Sequence, residues 1–238
     1  MRPDSKTIRW SFAVALAMLV LSGGLARQQS QADGQVDLLL VIALDVSASV
    51  DAREFLLMQQ GLANSINSPE VAMAISRGKH RSIAVSVLQW SGFIEKKIGI
   101  PWTRISNLKD LKHLADTITT MPRYFDSGAT DIGGSINYSM RWIKSAPFTA
   151  SRKVIDIASD GINNVNRSPH FGRDEALKAG IDIDALAITG KGSGLGEYFA
   201  RFVIGGKGAF VEIAQTFADF ERAMHRKLVR EIGVSYLF

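Results

Sequence analysis

Asp45-Val46-Ser47-Ala48-Ser49 puts a carboxylate and two hydroxyls on alternate residues, directly after an apolar run at 36–44. Oxygen-only side chains in such a group suit a hard divalent cation, which prefers carboxylate, hydroxyl and water ligands. Two later segments share the character. Ser127-Gly128-Ala129-Thr130-Asp131-Ile132-Gly133 offers a hydroxyl on a Gly-flanked loop ahead of a helical pattern, and the strand-like run 152–159 ends in Asp160-Gly161. Taken alone, each segment also reads as ordinary structure, with Asp45 capping a helix and the serines forming a turn. What distinguishes them is their shared placement at strand ends and helix starts.

The elements that must hold these groups follow from periodicity. A run as apolar as 36–44, with one early Asp, predicts a strand buried on both faces, as inside a parallel sheet. In open α/β sheets the functional crevice lies beyond the carboxyl ends of such strands. Further strands are predicted at 83–90, 152–159, 181–188 and 209–213, and an antiparallel neighbour of 83–90 at 94–102. Helical spacing marks 52–66, 70–76, 108–118, 132–143, 173–179, 198–203 and 217–232. Strands alternating with helices predict an α/β fold, a doubly wound and mostly parallel sheet with one antiparallel edge strand and helices on both faces.

In this order and at these positions, the three polar segments resemble the metal-ion-dependent adhesion site (MIDAS) of the von Willebrand factor A domain family. The family pattern is D-x-S-x-S, then a Thr on a loop, then an Asp usually followed by Gly. Carried over, it selects Asp45, Ser47, Ser49, Thr130 and Asp160, and the resemblance covers 36–233. It implies direct ligation of a cation by the hydroxyls of Ser47, Ser49 and Thr130, with Asp45 and Asp160 acting mainly through waters. The cation is expected to be Mg²⁺, with Mn²⁺ or Ca²⁺ as alternatives. One coordination position would stay open for an Asp or Glu of a protein partner. The resemblance therefore implies an adhesion or assembly module and not an enzyme, and it extends to bacterial exported proteins with such a domain. Two competing readings are a metal-dependent phosphoesterase using Asp45 and Asp160, and a metal-free structural module.

Other chemistries lack their residues. The second acid of an aspartyl phosphotransferase D-x-D is replaced by Ser47, and no G-x-S-x-G exists. His80, His113, His170 and His225 are scattered, without zinc spacing. The glycines of 190–196 fit no phosphate-cradling pattern and read as a flexible connection. With no cysteine, the chain has no disulfide, thiol nucleophile or thiolate ligand. Trp90, Trp102 and Trp142 read as core or partly buried residues.

The 238 residues, 46% hydrophobic, suffice for one well-buried domain. Arg2, Lys6 and Arg9 precede a short apolar stretch at 12–21, followed by small residues, which is a secretory signal pattern. Cleavage is expected after Ala26 or Ala32, giving a signal peptide at 1–32 and a domain at 33–238 that is periplasmic or secreted. The apolar stretch is shorter than the roughly 20 residues needed to span a bilayer, so no transmembrane anchor is expected after processing. The C-terminal 234–238 is expected to pack as a tail. Of the net charge of +5, Arg2, Lys6, Arg9 and Arg27 against Asp4 account for +3, leaving +2 for the domain. Nucleic acid is therefore not an expected partner. Arg77, Lys79, His80 and Arg81, and the set Arg222, Arg226, Lys227 and Arg230, read as solvated surface.

Overall fold

Two-sided burial of the first strand organises the molecule. In the computed structural model, which describes residues 34–190 and 194–233, β1 (Gln35–Asp45) is buried along almost its whole length. Leu38, Leu40, Ile42 and Leu44 face one half of the core, and Leu39, Val41 and Ala43 face the other. Period-two alternation of this kind puts successive side chains on opposite faces of the sheet. The remaining strands are β2 (Ile83–Trp90), β3 (Lys96–Ile105), β4 (Thr149–Ser159), β5 (Asp182–Ile188) and β6 (Val211–Ala214), in spatial order β3-β2-β1-β4-β5-β6. β1 runs parallel to β2, and β4, β5 and β6 are parallel in turn. Among the described strands only β3 is antiparallel, at the edge, where its pairing with β2 is broken by register shifts next to Pro101. Proline is tolerated at such an edge because it has no N–H to give to a ladder.

Among the described residues seven α-helices cover the two faces: α1 (Ala52–Ile66), α2 (Pro69–Ser76), α3 (Leu108–Thr120), α4 (Ile132–Lys144), α5 (Pro169–Lys178), α6 (Leu195–Phe202) and α7 (Phe220–Gly233). Apolar residues of α1, α2, α3 and α7 join Leu38 and Leu40 in one core cluster. Those of α4, α5 and α6 join Leu39 and Val41 in the other. Local signals set several boundaries. Asp51 and Glu54 form a reciprocal capping box at the start of α1, Ser68 caps α2 with Pro69 at its first position, and Asn107 caps α3.

The predicted α/β architecture holds, with differences of detail. The antiparallel strand starts later and runs to Ile105, since residues 91–95 form the turn that joins it to β2. The expected helix from 217 begins as a 3-10 turn at Phe217–Asp219 before α7. Lys227 is not surface: it is completely buried under α7, whereas Arg222, Arg226 and Arg230 are exposed. It lies on the same helical stripe as Met224, Leu228 and Glu231, so helix phase overrides the preference of lysine for water. The proposed signal peptide, the C-terminal tail and most of the glycine-rich connection lie outside the described residues. Among the described residues no helix is long and apolar enough to cross a membrane.

Candidate functional site

β1 and β4 are neighbours, and their successors depart in opposite directions across the sheet. The carboxyl ends of β1 and β4 therefore flank the point where the order reverses, the usual place for a crevice in an open α/β sheet. Asp45 is the last residue of β1, and Asp160 follows the last residue of β4.

The five predicted residues come together. Thr130 Oγ1 donates to Ser47 Oγ at 3.3 Å, Ser47 Oγ and Ser49 Oγ are 3.2 Å apart, and Ser49 Oγ donates to Asp160 Oδ1 at 2.7 Å. Asp45 stands behind this hydroxyl row, accepting from the Ser47 amide at 2.8 Å and from Ser159 Oγ at 2.5 Å. Asp45 and Ser47 are buried, whereas Ser49 is exposed and Asp160 half-buried, so the row opens to solvent at one end. A cleft of about 480 Å³ lies beside Asp160, lined also by Asp51, Glu54, Thr189 and Phe217.

Electrostatics mark the same place. Burial pushes the Asp45 carboxyl up to about 6, against the lowering effect of its hydrogen bonds from Ser159 and Ser47. Burial also raises Asp160, opposed by the Ser49 hydroxyl. Among the described residues no Lys, Arg or His pairs with either carboxylate.

Residues that the sequence did not single out hold the site in shape. Ser159 ties Asp45 to β4 across 114 positions of sequence. Asn164 clamps Thr130 from both sides: its Oδ1 accepts from the Thr130 amide at 2.8 Å, and its own amide donates to the Thr130 carbonyl at 3.0 Å. Arg123 donates to the carbonyls of Val46 and Val50, bracketing the serine turn. Asp131 caps α4 and is fully buried, receiving Lys96 Nζ at 2.8 Å and Asn166 Nδ2 at 2.9 Å. Gly128 has φ +116°, and a Cβ there would meet Ser91 Oγ at 2.5 Å. Its carbonyl accepts from the Ala48 amide at 3.0 Å, joining the threonine loop to the serine turn. Thr130 itself is buried, not a free loop side chain.

Fold and site together define a von Willebrand A-type α/β domain. A family model described as Protein of unknown function (DUF1194) matches residues 35–235, and the chain belongs to that family. It is 25% identical over 178 residues to the collagen alpha-1(VI) chain of Gallus gallus, covering 74% of this chain and 16% of that one. Proximal thread matrix protein 1 from the mussel byssus, solved with a zinc-occupied MIDAS motif, matches with a TM-score of 0.63 at 16% identity, over 83% of this chain and 48% of that one. A von Willebrand factor type A protein from Catenulispora acidiphila matches with a TM-score of 0.59 at 13% identity, over 84% and 43% of the two chains. The chain thus spans less than half the length of each of these relatives.

Proposed function

We propose that this domain is a protein-binding module that captures an acidic side chain through a divalent cation held by Asp45, Ser47, Ser49, Thr130 and Asp160. The observation that carries the reading is Asp45: a carboxylate buried completely, beside three convergent hydroxyls, with no cationic side chain to balance it. A buried charge without a partner is costly, and a bound cation is the economical compensation. The donor set fits. Adjacent oxygens of an octahedron with bonds of about 2.1 Å are about 3 Å apart, and the oxygens here are separated by 2.7 to 3.3 Å. Among the described residues no three His, Cys, Asp or Glu side chains are grouped to hold a metal, so the affinity would rest on hydroxyls plus two carboxylates. Mg²⁺ suits that set best, with Mn²⁺ or Ca²⁺ as substitutes.

When bound, the cation supplies an electrophilic position that a partner's Asp or Glu can complete. The chain's own residues set the rest. Asp45 compensates charge from below, Ser47 and Ser49 present hydroxyls on a turn fixed by Arg123, and Asn164 fixes Thr130. Phe93, Ile94 and Ile162 project large apolar side chains into solvent from loops next to the site, as at a protein-docking surface. The mussel thread matrix protein, with its zinc-occupied MIDAS motif, supplies a precedent for a cation at this place in the fold. The groups touching Asp45 are a backbone amide and the hydroxyls of Ser159 and Ser47, none of them a general base, which favours binding over phosphoester hydrolysis. Export to the periplasm or beyond, after removal of 1–32, is part of the same reading.

Titration calorimetry with Mn²⁺ tests it. One weak site is expected in the wild type and none in Asp45→Ala or Ser47→Ala/Ser49→Ala. Equal binding in wild type and Asp45→Ala would remove these residues from the site.

A further inference from the structure

A second group of fully buried charges lies away from the cation site. Asp156 of β4, Asp184 of β5, and Lys227 and Glu231 of α7 are each no more than 1% exposed. Asp156 and Asp184 are cross-strand partners, and both face α7. Lys227 Nζ is 2.8 Å from Asp156 Oδ2 and 3.3 Å from Glu231 Oε1, and 5.3 Å from the centroid of the Phe210 ring. Arg152 Nη2 is 3.6 Å from Asp184 Oδ2, and its Nη1 donates to the Glu231 carbonyl. Neither oxygen of Asp156 receives an aligned hydrogen bond, and Glu231 Oε2 receives none. Three carboxylates and the Lys227 ammonium are thus packed together out of solvent, with Arg152 partly exposed at their edge. Burial on this scale costs more than Coulomb attraction alone returns.

We infer that Lys227 and Asp156 become joined by an intramolecular isopeptide bond, with Glu231 as the acid that assists its formation. The arrangement holds every part such a reaction needs: an amine and a carboxyl in contact, a second carboxyl within reach of the amine, an aromatic wall and burial from solvent. With Lys227 Nζ already 2.8 Å from an oxygen of the carboxyl it would attack, in a packed core, the reaction gains the rate advantage of proximity. Burial raises the Asp156 and Glu231 carboxyls. Burial works against the Lys227 charge, but Asp156, Glu231 and Asp184 outweigh it and hold the ammonium.

The reaction therefore begins with transfer of one proton from the Lys227 ammonium to the Asp156 carboxylate, giving a neutral amine and a neutral acid. Nζ then attacks Cγ of Asp156. Protonated Glu231 donates its proton to the departing hydroxyl and receives the remaining surplus proton from nitrogen, which regenerates it. An N–C bond forms, a C–O bond breaks and one water leaves. Ammonium plus carboxylate become amide plus water, with no oxidation or reduction and no co-reactant. Two buried charges are replaced by one neutral amide, and Arg152 with Asp184 remains as a balanced pair.

The test is mass spectrometry of the purified full chain after trypsin. We expect residues 154–167 and 227–230 in a single branched peptide, lighter than the two separate peptides by one water. Folded wild type that, after prolonged incubation, yields only unlinked 154–167, with cleavage after Lys227, overturns the inference. Glu231→Gln, folded by circular dichroism, should form the link about a hundredfold more slowly, the scale of a lost general acid. Linkage at the wild-type rate in that variant removes Glu231 from the chemistry. Lys227→Arg keeps a cation in the core but cannot form the link, and should melt lower than wild type. A melting temperature unchanged in that variant means that no cross-link supports the wild type.

Discussion

Asp45 decides the behaviour of the site at the level of single residues. Its carboxyl, raised by burial from 3.8 to about 6, represents on the order of 3 kcal/mol of unfavourable charge burial in the cation-free domain. The folded state holds this proton more tightly than the unfolded chain, so the group's contribution to cation-free stability is fully present below about pH 4 and is lost as pH rises through 6. The proposed cation binding needs the ionised form. The stabilisation by Mn²⁺ should accordingly be large at pH 7.5 and disappear below about 6, read as the shift in melting temperature across a pH series. Asp45→Asn should melt higher than wild type without cation at neutral pH, yet gain nothing from Mn²⁺. A Mn²⁺ shift of wild-type size in that variant would take Asp45 out of the site. Thr130→Ala removes one 3.3 Å hydrogen bond while Asn164 still holds the backbone, so a stability cost of about 1 kcal/mol is expected. Metal-dependent capture of a partner should fall on the order of tenfold in the same variant, because a metal–carboxylate contact is a hot spot. Pull-down from envelope extract with and without EDTA measures that difference.

Among the elements, the start of α4 does the most positioning. Asp131 caps this helix and also receives Lys96 from β3 and Asn166 from the loop after β4, so three segments meet on one buried carboxylate. Lys96 is itself almost completely buried. Asp131→Ala would leave that ammonium unpaired, and a loss of about 3–5 kcal/mol is expected in chemical denaturation. Such a loss, much larger than for Thr130→Ala, separates the residue that builds the loop from the residue that uses it. Gly128 makes a similar point through the backbone. At φ +116° and with Ser91 Oγ in the way of any Cβ, Gly128→Ala should cost about 1–3 kcal/mol and displace Thr130 along with its loop.

At the scale of the whole molecule, the domain relies on its two apolar cores, since it contains no cysteine. Val41→Asp, which places an unpaired charge at the centre of the sheet, should abolish cooperative folding. Export is expected from the leader. Residues 1–35 fused to a reporter active only outside the cytoplasm should give signal, and the native protein should begin at Arg27 or Asp33. A soluble cytoplasmic form retaining Met1 would rule this out.

Much of the fold and the five candidate ligands are legible in the sequence alone. The apolar run 36–44 must be a two-sided strand because nothing in it tolerates water, and the capped helix 52–66 was readable to the residue. D-x-S-x-S, the threonine loop and Asp160-Gly161 were visible because their signals are local: residue type, spacing, and position at the end of a periodic segment. Ser159, Asn164, Asp131 with Lys96, and Arg123 were not visible. Each acts through a contact made across a long stretch of chain, 114 positions in the case of Ser159 and Asp45, and no local pattern encodes such a partner. Lys227 lies between the two cases. Met224, Leu228 and Glu231 place it on the inner stripe of α7, but its charge argued for solvent. Helix phase is a property of the sequence. That the inner stripe of α7 meets Asp156, and that a lysine there is tolerated because a carboxylate waits at 2.8 Å, was decided only when the last helix packed onto β4.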